Sequence, residues 1–244
     1  MTEPLRAVEA GDSGARGGAV TKRDQVAQAL RDLIATGEIP RGSRIRQDEF
    51  AERFDVSITP IREAINLLHA EGLLVGEPRK GVRVAAVNPE RLRSVYTVRR
   101  LMESYAMQRA SRRMSPMDFR RAEELATKME RAFENGDHTL VGSLNRDFHF
   151  TFYENCGVPG LLEEIDALWQ NYPWDIMNVI PDRTPDALHQ HRQILEAMVD
   201  GDTERIETLT GDHLWGSYRK LIEHVTGRLP DGDPFDIEVP EPGM

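Results

Sequence analysis

The chain has 244 residues, 39% of them hydrophobic and 30% charged, enough to bury one large core or two small ones. A single cysteine, Cys156, excludes an intrachain disulfide and a cysteine-based zinc knuckle, and fits a reducing cytoplasm. The net charge of −10 argues against a nucleic-acid partner only if it is spread evenly, and it is not: residues 1–20 sum to −1, 21–87 to +1 (11 basic, 10 acidic), 88–228 to −5 and 229–244 to −5. A basic face can therefore exist on the first third of the chain.

The opening MTEPLRAVEAGDSGARGGAV lacks the basic-then-apolar order of a signal peptide, and no apolar run approaches the ~20 residues that span a bilayer. Residues 1–20 and the acidic, proline-rich 229–244 read as tails, which leaves two domains, 21–87 and 88–228. The first reads as helix, helix, helix, hairpin. Val26, Leu30, Leu33 and Ile34 form a helical stripe that stops at Gly37. Phe50 and Phe54 face inward from a short second helix beginning near Gln47, and DVS makes a turn. A third helix, starting near Thr59-Pro60, presents Ile61, Ile65 and Leu68 until Gly72. Two helices joined by a tight turn are a helix-turn-helix, and LLVGEP followed by GVRVA reads as a hairpin, a wing, with Arg79 and Lys80 at its tip.

The segment VSITPIREAINLLHAEGLL, with the following Gly81, resembles the winged helix-turn-helix of the GntR family of bacterial transcription regulators over residues 21–84. The resemblance implies a recognition helix in the major groove with Ser57, Thr59 and Arg62 near bases or phosphates, and a wing carrying Arg79 and Lys80 toward the minor groove or backbone. Two positions depart from the family pattern. Ile58 stands where relatives commonly carry arginine, so it meets a thymine methyl or packs on sugars instead of donating a hydrogen bond. Arg46 stands where a capping residue is common; with Arg44 it is placed to grip phosphate.

Asn88-Pro89 supplies an N-cap and first-turn proline for the second domain, which reads as helical throughout. Helices are expected near 89–113, 116–135, 138–155, 159–178, 185–200 and 203–227, the fourth kinked or ended early by Pro173. The fold class is thus mainly α, a winged helix-turn-helix followed by an all-α bundle. In HQHRQIL, His191 shares a face with Leu188, Ile194, Leu195 and Met198, whereas His189 points about 200° away toward solvent. His149 shares its face with Val141, Leu144, Phe148, Phe152 and, one turn before it, Asn145; His213 falls among Ile206, Leu209, Leu214, Leu221 and Val225. His69, His138 and His224 show no such convergence. Three inward imidazoles would each need a partner in an apolar bundle, and a divalent metal satisfies all three, with the Asn145 oxygen available for a fourth position.

This part resembles the FadR-like branch of the same family, whose helical domain (the FCD type) often holds a metal through Asp or Asn, a His four residues later, and two further histidines. Asn145, His149, His191 and His213 match that set, zinc being the first expectation and nickel or manganese the other ions; Asn145 stands where many relatives have Asp. On the first helix Arg99 lies within the stripe of Leu92, Val95, Met102 and Ala106. It either pairs with Glu103 one turn later or, as the resemblance implies, clamps the carboxylate of a small organic acid beside the metal. The expected protein is a cytoplasmic homodimer that binds double-stranded operator DNA, has no membrane partner, and is controlled by such an acid. A metal-dependent hydrolase is the second reading; it needs a general base beside the metal, and no Glu or Asp is found on the inward stripes close to the histidines. A purely structural or metal-sensing site is the third.

Overall fold

In the computed structural model, which describes residues 21–77, 81–180 and 183–235, the chain divides into two compact units, residues 1–86 and 87–244. In the first unit, helix α1 (Lys22–Ala35) opens with a capping box in which Thr21 and Asp24 satisfy each other's backbone donors. Helix α2 (Gln47–Phe54) ends at Asp55, whose left-handed backbone (φ 52°) is one that aspartate tolerates better than most residues, and helix α3 (Ile58–Ala70) follows after two residues. Val26, Leu30, Ile34, Phe50, Phe54, Ile61, Ile65 and Leu68 close one core between the three helices.

The wing differs from the hairpin expected. Strands β2 (Leu74–Glu77) and β3 (Gly81–Val84) pair antiparallel, but β1 (Arg44–Ile45) adds to the other side of β3, giving a three-stranded sheet in the order β1-β3-β2. A two-residue strand carries no alternation to detect; Ile45 betrays it only by burial against the core. The third helix also begins one residue before Thr59, with Ser57 as its N-cap residue.

The second unit is a bundle. Helix α4 (Pro89–Ser111) starts where Asn88 accepts hydrogen bonds from the amides of Glu90 and Arg91. Helices α5 (Pro116–Glu134), α6 (His138–Tyr153), α7 (Pro159–Gln170), α8 (Trp174–Met177), α9 (Arg183–Asp200) and α10 (Thr203–Thr226) follow, with one 3-10 turn at Glu154–Cys156. The helix expected over 159–178, with Pro173 kinking it or ending it early, is broken there into two: α7 stops at Gln170, and Pro173, which cannot donate to a continuing helix, heads the short α8. Helix α9 begins at Arg183, two residues ahead of the expected start; residues 181–182 lie outside the described residues. Its Pro185 sits within the first turn, where the missing N–H costs nothing.

The capping box of α5 has a pH signature. Ser115 Oγ accepts from the Asp118 amide at 3.3 Å, while Asp118 Oδ2 accepts from the Ser115 amide at 2.8 Å. The Ser115 hydroxyl, then its amide, hold the Asp118 carboxyl below the usual range. A carboxyl whose folded pKa is depressed contributes stability above its unfolded pKa, about 3.9, and loses it as pH falls through the folded value. Ser115→Ala should therefore cost about 1 kcal/mol at neutral pH. In denaturant titrations its deficit relative to the parent should narrow below about pH 4.

Candidate functional site

In the first unit the start of α3 is exposed. Ser57 makes no side-chain cap bond, and Ser57, Ile58, Thr59 and Arg62 are all exposed, so the amino-terminal turn of this helix offers hydroxyls, one guanidinium and one apolar group outward. On β1, Arg44 is exposed opposite Arg83 of β3. Its guanidinium lies along Gly81, which has φ +86°; a Cβ there would stand 3.3 Å from Arg44 Nε, so glycine serves both the backbone and the close approach. Arg46 is exposed and does not cap α2; it pairs with Asp48 at 2.9 Å and Glu49 at 3.0 Å, surface contacts that cost little to give up. Arg79 and Lys80 lie outside the described residues.

In the second unit, α6, α9 and α10 each turn one histidine inward. His149, His191 and His213 are 3%, 1% and 5% exposed, whereas His189, His69, His138 and His224 are on the surface. The three buried rings bring one nitrogen each to within 4.8 Å of one another, and Nε2 of His149 lies 3.1 Å from Nε2 of His191. Nitrogens bound to one divalent ion at about 2.0–2.1 Å are about 2.8–3.4 Å apart for octahedral to tetrahedral angles, a spacing that the His149–His191 pair already has. The donors are three imidazoles with no thiolate, a set that suits zinc, nickel, copper or iron better than calcium. Asn145 lines the same cavity one turn before His149, and Asp147 is exposed, away from it. Gly142, a further turn back, has no side chain to hinder Asn178 at the end of α8, whose amide would meet a Cβ there at 3.3 Å.

Arg99 of α4 also lines this cavity and is only 4% exposed. It does pair with Glu103, the simpler of its two expected roles, through Nε to Oε1 at 2.6 Å and Nη2 to Oε2 at 3.4 Å. Glu103, 1% exposed, accepts further hydrogen bonds from Tyr153 Oη at 2.7 Å and Trp169 Nε1 at 3.0 Å. Tyr172 and Trp169 place their rings 4.8 Å and 5.0 Å from the Arg99 guanidinium. Burial, the largest single influence, would lower the pKa of Arg99; the charge and hydrogen bond of Glu103, with Tyr96 and Tyr172, together outweigh it and the net direction is upward, so the guanidinium stays charged. Burial, then the same carboxylate, push the Tyr153 phenol well above its ordinary value, which keeps its proton in place.

Glu103 corrects the expectation that no carboxylate lies near the histidines. Tyr153 Oη is 3.3 Å from His149 Nδ1 as well as 2.7 Å from Glu103, so the carboxylate stands one side chain behind a candidate ligand. It is not placed as a general base, because three donors already hold both of its oxygens. Gln190 was also passed over; its Oε1 is 3.0 Å from His213 Nδ1. Tyr153 had a sequence signal, being four residues after His149 on the same face, whereas Gln190 meets its partner only across two helices. No described helix is long and apolar enough to cross a membrane.

Comparison with known proteins joins both halves. Residues 22–84 match the model of bacterial regulatory proteins of the gntR family, and residues 94–215, half of the chain, match the FCD domain. The HTH-type transcriptional regulator McbR of Escherichia coli is 30% identical over 145 residues, 59% of this chain and 66% of McbR, just under two thirds of that relative. A probable D-xylose utilization operon transcriptional repressor of Paenarthrobacter nicotinovorans is 27% identical over 84% of this chain and 92% of its own. The solved structure of E. coli McbR/YncC superposes with a TM-score of 0.75 at 25% identity, covering 84% of this chain and 99% of that one. These matches are to transcription regulators and not to enzymes. The chain belongs to the GntR family, as a transcription regulator that couples a winged helix-turn-helix to a helical FCD domain.

Proposed function

We propose that this regulator is a repressor whose operator affinity is set by a small organic acid bound beside a divalent metal, zinc first, in the FCD domain. The observation that carries the reading is the convergence of His149, His191 and His213 in a cavity that Arg99 and Asn145 also line. A bound ion would supply a Lewis-acidic contact for a carboxylate oxygen. Arg99 keeps guanidinium donors beyond the Nε and Nη2 engaged by Glu103, and these suit the acid's other oxygens. A relative named as an operon repressor favours repression that the acid relieves.

The route to DNA runs along α4. That helix carries Arg99 and follows β3 after four residues, so an acid that prefers one setting of α4 biases the segment of chain that leaves the winged helix. Thermal-shift titration with small carboxylates, with and without a chelator, followed by operator gel shifts, tests this. Stabilisation requiring both acid and metal, with weakened operator binding, is the expected result. Unchanged operator affinity at saturating acid and metal would sink the coupling, and turnover of the acid would favour a hydrolase.

Ser57, Ile58, Thr59, Arg62, Arg44, Arg46, Gly81 and the wing-tip pair Arg79 and Lys80 are proposed to form the operator-binding surface. Arg62→Ala should weaken operator binding by roughly 1–3 kcal/mol, about 5- to 150-fold, while leaving metal binding unchanged. Equal binding by the variant would remove Arg62 from recognition.

The acting species is proposed to be a cytoplasmic homodimer, on the nucleoid when DNA-bound, reading a roughly two-fold symmetric operator. Helix α4 supports this: Val98, Leu101 and Tyr105, spaced by three and four residues, are 40%, 69% and 51% exposed, an apolar stripe of the kind that a second copy covers. Leu101→Glu should shift sedimentation from dimer to monomer and weaken operator binding with it. A variant that stays dimeric would place the interface elsewhere.

A further inference from the structure

Metal affinity depends on which ring nitrogen of each histidine carries the proton, and two neighbours settle that for two of the three. Tyr153 Oη has one hydrogen. The Glu103 carboxylate, 2.7 Å away and anionic, takes it. Toward His149 Nδ1, at 3.3 Å, the hydroxyl can then only accept, so Nδ1 is the nitrogen that bears hydrogen and Nε2 carries the lone pair. Gln190 Oε1 acts likewise: an amide oxygen accepts and never donates, so His213 Nδ1, 3.0 Å away, bears the hydrogen and its Nε2 is left to bind. Because His149, Tyr153 and Glu103 are 3%, 0% and 1% exposed, bulk water does not compete for these contacts.

We propose that Tyr153 and Gln190 are positioning residues that lock His149 and His213 in the tautomer presenting Nε2 to the metal, and that Tyr153 ties His149 through Glu103 to Arg99. The inference rests on the metal reading above and adds to it a physical link: the side chain assigned to the acid and a ligand assigned to the metal share one carboxylate. In the metal-free chain the same logic makes His191 the donor across the 3.1 Å Nε2 to Nε2 contact with His149.

The test uses the full chain with Zn²⁺ as the probe, titrated against a chromophoric chelator, together with long-range ¹⁵N–¹H NMR of the histidine rings in metal-free protein. Tyr153→Phe and Gln190→Leu should each weaken Zn²⁺ about 10- to 100-fold, the usual effect of losing a partner that orients a ligand. Gln190→Glu, which keeps an acceptor, should restore parental affinity. In the parent, His149 and His213 should show the Nδ1–H tautomer, and in Tyr153→Phe only His149 should lose that preference. Zn²⁺ affinities within threefold of the parent in both folded variants, or Nε2–H tautomers at His149 and His213 in the parent, would overturn the proposal. If Tyr153→Phe unfolds because Glu103 has lost a donor, the Leu and Glu variants at 190 decide it. A parent that binds no Zn²⁺ overturns the metal reading, and the tautomers then decide the positioning claim separately.

Discussion

A guanidinium taken out of water is the constraint around which the helical domain is organised. Arg99 is 4% exposed and charged, and an isolated ion in such a place would cost several kcal/mol. Glu103 answers it from the next turn of α4, but a buried carboxylate has its own unsatisfied lone pairs, and these draw in Tyr153 from α6 and Trp169 from α7. Three helices are thereby held in register by one ion pair, and the aromatic rings around the guanidinium fill the space that water would take. The same Tyr153 hydroxyl lies 3.3 Å from His149 Nδ1, so the solution to a desolvation problem also reaches a candidate ligand.

The broken segment between α7 and α9 has a comparable double role. A continuous helix through residue 178 would carry Trp174 and Asn178 along the α7 axis. Because Pro173 ends that course, Trp174 instead packs, tilted, against Trp169 and Tyr172, with ring centres 4.8 Å and 4.5 Å away, and Asn178 reaches Gly142 on α6. Both contribute to the wall of the cavity that holds the triad. A helix breaker is thus what closes the site on one side.

Much of this was legible from periodicity and punctuation. The 100° step per residue separated buried His191 from exposed His189, two positions apart, and found His149 and His213 on inward faces for the same reason. Asn88 was legible as a cap because capping chemistry is local. The polar contacts behind the histidines were not: Glu103 to Tyr153 and Gln190 to His213 join residues 50 and 23 apart, and a single sequence carries no record of which faces meet. Glu103 escaped notice as a neighbour of the triad because a glutamate four residues after an arginine is ordinarily a surface pair. Strand β1 escaped because two residues have no period.

Asn145 alters what the cavity attracts. Arg99 and Glu103 cancel, histidine binds metal as neutral imidazole, and Asn145 brings no charge where a related aspartate would bring −1. On the proposed reading, the cavity is therefore close to neutral when empty and carries nearly the full +2 of an ion when loaded. Partial desolvation keeps that charge from being screened as it would be in water. An anion is then the natural completion of the coordination sphere, and a carboxylate meets both the charge and the remaining donors of Arg99. With aspartate at 145 the net charge would fall to +1 and the pull on an acid would weaken. On that reading asparagine raises the pull of the loaded site on an acid, while the step in charge that loading brings, +2, is the same with either residue.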